Sequence, residues 1–111
     1  MINQKTIDDI KVKHPLDDLR KATITTAALD EAVELIVRVP QHVVWTKYIA
    51  ALRDEKKSVR ATRDFVFDSV LYPPADELNE LFSRQPGLVN RIAERLGDLA
   101  GVQAKVETEK L

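Results

Sequence analysis

Paired carboxylates are the first candidates for chemistry in this 111-residue chain: Asp8–Asp9, Asp17–Asp18, Asp64–Asp68 and Glu94–Asp98. Two of these pairs have a spacing of four, which stacks side chains on one face of a helix. Such a pair can hold a divalent cation or divide the acid and base roles of a hydrolytic step. Each also has a cation within one turn, Arg60 before Asp64 and Arg95 before Asp98, which is the ordinary pairing of a solvated helix face. The two histidines, His14 and His42, are far apart, and neither stands four residues from another ligand type. With no cysteine in the chain, disulfides, thiolate zinc sites and thiol nucleophiles are excluded. No glycine-rich run opens a helix to cradle a phosphate, and Ser58, Ser69 and Ser83 lack a nucleophile-elbow motif. The residues thus name no catalytic, cofactor-binding or metal-binding position, and a non-enzyme is expected.

Positive charge is the next feature. Lys56, Lys57, Arg60 and Arg63 cluster, with Lys47 and Arg53 nearby in sequence, and could touch phosphates. Asp54, Glu55 and Asp64 are interleaved, so the plainer reading is a solvated helix face. The last two predicted helices also mimic a helix-turn-helix, but Glu94 and Asp98 offset Arg91 and Arg95 on what would be the reading helix. A formal net charge of −1, with 32% charged residues of both signs, gives no general pull toward nucleic acid or an anionic membrane. Nowhere do about 18 apolar residues run together. The expectation is a cytoplasmic protein that binds neither nucleic acid nor membrane.

The elements that must position these residues read as helices separated by prolines. Only three glycines and 5% aromatic residues are present, against abundant Ala, Leu, Glu, Asp and Arg, which favours helix over sheet. Residues 1–14 are polar, with Ile7, Ile10 and Val12 as anchors, and read as a flexible arm or a short strand. Pro15 can open a short helix with Asp17 and Asp18 in its first turn and Arg20 and Lys21 at its end. Thr25 or Thr26 can cap the next helix, with Leu29, Val33, Ile36 and Val37 at helical spacing. The piece ELIVRV also alternates and is rich in β-branched residues, so helix and strand conflict there; the spacing favours helix, ending near Arg38. Val44, Trp45, Tyr48, Ile49 and Leu52 form the stripe of a further helix. Val59, Val66, Phe67, Val70 and Leu71 continue on another, which Pro73 and Pro74 end. Leu78, Leu81 and Phe82 line a short helix, and Leu88, Val89, Ile92, Leu96 and Leu99 a last one that stops at Gly101. The fold expected is all-α: a small orthogonal bundle of four to five helices over residues 15–101, with a polar arm before it and a frayed tail over 102–111. Apolar faces around Phe65, Phe67, Leu71 and Tyr72 are wider than a small bundle needs, and such a surplus points to a partner or an oligomer.

The order of features over residues 45–101 resembles a known family. A tryptophan-bearing helix precedes an apolar helix that leaves through Val70-Leu71-Tyr72-Pro73-Pro74. Then come a short acidic helix with Leu78, Leu81 and Phe82, a turn at Pro86-Gly87, and a last helix ending over residues 96–101. This resembles the tail assembly chaperones of long-tailed bacteriophages, over about half of the chain. The resemblance implies a small helical protein of the host cytoplasm, absent from the mature virion. It would coat the tape measure protein and help recruit tail tube subunits, the latter through a longer form made by ribosomal frameshifting. Many copies would line one client, so a homo-oligomer is expected. A client of this kind is a long apolar-faced helix, and a groove lined by aliphatic and aromatic residues would accept it. The partner-binding residues expected on this basis are Trp45, Tyr48, Phe65, Tyr72 and Phe82. A small helical nucleic-acid-binding regulator and a structural head–tail joining adaptor are the alternatives.

Overall fold

The computed structural model describes residues 2–26, 31–101 and 105–111. Among the described residues, five helices and three strands follow in the order α1 (Gln4–Lys13), β1 (Leu19–Ile24), β2 (Val33–Arg38), α2 (His42–Arg53), α3 (Ser58–Ser69), β3 (Val70–Tyr72), α4 (Ala75–Arg84) and α5 (Leu88–Leu99). The fold is therefore α+β, and the expected all-α bundle is corrected. The strands form one antiparallel sheet in the order β1-β2-β3.

The correction falls on residues 15–38. Leu35, Ile36 and Val37 are buried in succession, which a helix with one buried stripe does not produce but a central strand covered on both faces does. Leu35 and Val37 belong to the main core cluster, with Val33 packed against it, whereas Ile36 is buried outside that cluster. Ile36 lies across from Lys21 on β1 and Tyr72 on β3. The helical spacing of Val33, Ile36 and Val37 was thus coincidental. Val33 and Val37 share one face of the strand and Ile36 points to the other. Leu29, the fourth member of that stripe, lies outside the described residues.

The helix expected at Pro15 is replaced by a turn leading into β1. Its aspartates have partners a helix would not have given them. The Asp17 carboxylate accepts from Gln41 Nε2 at 3.1 Å and lies 3.3 Å from His14 Nδ1 and 3.6 Å from the Arg38 guanidinium. The backbone carbonyl of Asp18 accepts from Val39 N–H at 2.8 Å. These links tie the turn to the end of β2 and the start of α2, and they outweigh the modest dipole preference of a first-turn aspartate. Across β1 and β2, Lys21 Nζ meets Glu34 at 3.2 Å.

Residues 4–13 form a helix instead of an arm or a strand. Asn3 caps it, its side-chain oxygen accepting from Thr6 N–H at 2.8 Å and from the Thr6 hydroxyl at 2.9 Å. No residue of α1 is buried. Helix α3 ends at Ser69, earlier than the prolines require, because Val70 and Tyr72 pair with Val37 and Ile36 of β2. The Tyr72–Pro73 peptide bond is cis. The side chain of Arg38 fastens this junction, donating from Nε and a terminal nitrogen to the Asp68 carbonyl at 3.0 and 2.5 Å.

Helices α3, α4 and α5 cover one face of the sheet. Phe65, Val66, Val70, Leu78, Leu81, Phe82, Leu88, Ile92, Ala93 and Leu96 join Leu35 and Val37 in a single cluster. Burial of each aliphatic or aromatic side chain in such a cluster contributes about 1.5–3 kcal/mol. Helix α3 is central: α2, α5 and β3 all pack against it.

Candidate partner-binding groove

Helix α2 has an unusual balance. Its sequence HVVWTKYIAALR is apolar on average, yet none of its residues is buried. Val44, Trp45, Tyr48 and Ile49 are half-buried, Leu52 is exposed, and Val43 is 75% exposed. What holds α2 to the domain is an aromatic cluster. The Tyr48 ring stacks on Phe65 of α3, with centroids 4.1 Å apart and planes 1° from parallel. Trp45 meets Tyr48 and Phe65 edge-on at 5.7 and 5.8 Å. The Tyr48 hydroxyl lies 3.3 Å from the Thr62 hydroxyl.

Both α2 and α5 pack on α3, and residues of all three line a groove of about 590 Å³. Trp45 and Tyr48 form one wall and Thr62 of α3 the floor, while Asn90, Ala93, Glu94, Gly97 and Asp98 of α5 form the other wall. Among the described residues, the charged side chains that line it are the carboxylates Glu94 and Asp98. Their helical partners, Arg91 and Arg95, point to the other flank of α5. There they line a cleft of about 290 Å³ with Ile24, Leu35 and Leu88. Thus α5 is divided along its length, acidic toward α2 and basic toward β1. The long ion pairs Arg91–Glu94 (3.4 Å) and Arg95–Asp98 (3.8 Å) bridge the division.

The residues expected to meet a partner separate into three groups. Trp45, Tyr48 and Phe65 come together, but Phe65 is only 3% exposed and serves as the buried anchor beneath the other two. Phe82 is buried in the core, edge-on to Phe67 at 5.7 Å. Tyr72 is half-buried on β3, paired with Ile36, and does not line the groove. Of the five, the groove itself is lined by Trp45 and Tyr48. Sequence reasoning missed the α5 wall. Ala93 and Gly97, four apart on one side of α5, were its only signal. Gly97 reads from sequence as a weak point in a helix, whereas in the fold it is a buried small residue on the groove wall.

The basic cluster divides, with Arg63 turned away from the rest. Arg63 turns toward α4, where it donates to Asn79 Oδ1 and lies 4.8 Å over the Phe67 ring. Lys47, Lys56, Lys57 and Arg60 line a depression of about 820 Å³ on the other side of α2, interleaved there with Asp54, Asp64 and Asp68. Among the described residues no group of three or more His, Asp or Glu side chains could hold a metal ion. Among them, too, no helix is long and apolar enough to cross a membrane.

No curated protein matches the chain. Among solved structures, an uncharacterised protein from Bacillus stearothermophilus is similar, with a TM-score of 0.71 over 93% of this chain and 99% of that one. At 18% sequence identity the likeness is one of fold. A family model described as a domain of unknown function, DUF6848, matches residues 19–109. That span runs from the first strand past the last helix, and the chain belongs to this family.

Proposed function

We propose that the chain is a non-catalytic chaperone of phage tail assembly, whose groove between α2 and α5 holds helical segments of the tape measure protein. The observation that carries this reading is α2: an apolar helix with Trp45 and Tyr48 at its centre and not one fully buried residue. A helix of that composition, docked only along one side, leaves apolar surface for a second helix to cover. The resemblance of residues 45–101 to tail assembly chaperones supplies the identity of that second helix. The wider account follows from the same resemblance: several copies along one client, tail tube recruitment through a longer frameshifted form, action in the host cytoplasm and absence from the mature virion. Co-expression with the large helical product of the neighbouring gene tests it. The expected result is a client that stays soluble and co-purifies with the chain. A client that is equally insoluble with and without the chain overturns the reading, and the chain's presence in purified virions by mass spectrometry would favour a structural adaptor.

A further inference from the structure

We infer that the groove selects an amphipathic helix whose apolar stripe is flanked by lysine or arginine; this rests on the chaperone reading and specifies the chemistry of its client. The two walls differ in kind. The α2 wall offers the rings of Trp45 and Tyr48, and the α5 wall offers Ala93 and Gly97 beside Glu94 and Asp98. Small side chains on α5 let a third helix approach closely, and the aromatic wall gives it apolar area. The carboxylates then stand where the flank of that helix would lie, and among the described residues no cation lines the groove beside them. Arg91 and Arg95 pair with them only through long contacts of 3.4 and 3.8 Å made by solvent-exposed guanidinium groups. A lysine or arginine on the incoming helix can lay its aliphatic stem along Trp45 or Tyr48 and bring its charge to Glu94 or Asp98. An acidic flank would instead meet two carboxylates at close range, so the groove discriminates by repulsion as well as attraction. Helix α5 has twelve residues, so three turns of a partner can lie along it.

Trp45 is the only tryptophan in the chain and lines the groove, so its emission reports occupancy directly. The probes are two designed helical peptides of about 18 residues, five turns, with the same leucine stripe, one flanked by lysine and one by glutamate. Titrated into the full chain at physiological salt, the lysine peptide should shift Trp45 emission to the blue and saturate, while the glutamate peptide should bind at least about tenfold more weakly, since like-charge contact at an interface costs more than 1.4 kcal/mol. The double variant Glu94→Gln, Asp98→Asn changes exposed or half-exposed positions and should keep the wild-type circular dichroism. It should lose about tenfold in affinity for the lysine peptide, as two partly screened ion pairs predict. Lys57→Gln, in the depression on the other side of α2, should leave it unchanged. Equal binding of the two peptides, or an unaltered affinity in the double variant, overturns the proposal. So does an emission shift that follows protein concentration alone, in step with dimerisation in sedimentation, because a second copy would then fill the groove. If the natural client stays soluble with the chain while neither peptide binds, the charge selection fails and the chaperone reading stands. If the lysine peptide binds while the client precipitates, the chaperone reading fails and the groove's selectivity stands.

Discussion

Phe65 is the residue on which the attachment of α2 depends, and its replacement can be worked through from the geometry. It is 3% exposed, stacked on Tyr48 at 4.1 Å and edge-on to Trp45 at 5.8 Å. Phe65→Ala removes most of a buried ring and should cost about 3–5 kcal/mol, a large share of the roughly 5–15 kcal/mol that a domain of this size holds in total. Phe65→Leu is the sharper test, because it keeps much of the apolar volume and deletes the ring geometry. Two aromatic pairs at about 0.5–1.5 kcal/mol each set the expected loss at about 1–3 kcal/mol. Urea unfolding followed by Trp45 fluorescence and by far-ultraviolet circular dichroism separates local from global effects. In Phe65→Leu the fluorescence midpoint should fall ahead of the dichroism midpoint, because α2 has no buried residue of its own and detaches first. A loss below about 0.5 kcal/mol, with the two midpoints still coincident, would mean that this cluster is not the tie.

Other perturbations follow from single contacts. The Ser69 hydroxyl is buried at the end of α3 with no hydrogen-bond partner among the described residues, so Ser69→Ala should be neutral or stabilise by about 1 kcal/mol in a thermal melt. Arg38→Ala removes the fork that clamps the Asp68 carbonyl and reaches Asp17, and should cost about 1.5–3 kcal/mol; Arg38→Lys should recover only part of this, because an ammonium cannot fork. Asp18 accepts side-chain hydrogen bonds from Arg20, which hold its carboxyl below the usual carboxylate value. A lowered folded value contributes stability above the ordinary value that is lost as pH falls through the folded one. Carboxyl NMR should show the lowered titration in the wild-type chain and its return to the ordinary value in Arg20→Gln.

Where the sequence was readable, one face of a helix decided the structure. Leu78, Leu81 and Phe82 of α4, and Leu88, Ile92 and Leu96 of α5, are buried as their spacing requires. The stripe of α2 was equally plain, although no residue there reaches full burial. The sheet was hidden for physical reasons. β2 is central and covered on both faces, so Leu35-Ile36-Val37 lacks the polar alternation that marks a half-buried strand. β3 has three residues, too few for any period, and follows α3 without a break. Residues 15–18 carry the proline and aspartates of a helix start, yet Asp17 finds Gln41 and Arg38, more than twenty residues away. The candidate groove was half visible. Trp45 and Tyr48 stood out by type, whereas Ala93, Glu94, Gly97 and Asp98 became a wall only once α3 set α5 opposite α2.

Hydrogen–deuterium exchange on the chain with and without the proposed tape measure client is the decisive measurement. Protection gained on binding should be concentrated in α2 and α5, around Trp45–Tyr48 and Ala93–Gly97, with β1 and β3 unchanged. Protection confined to the sheet edges, with α2 and α5 exchanging as in the free chain, would contradict the proposed groove.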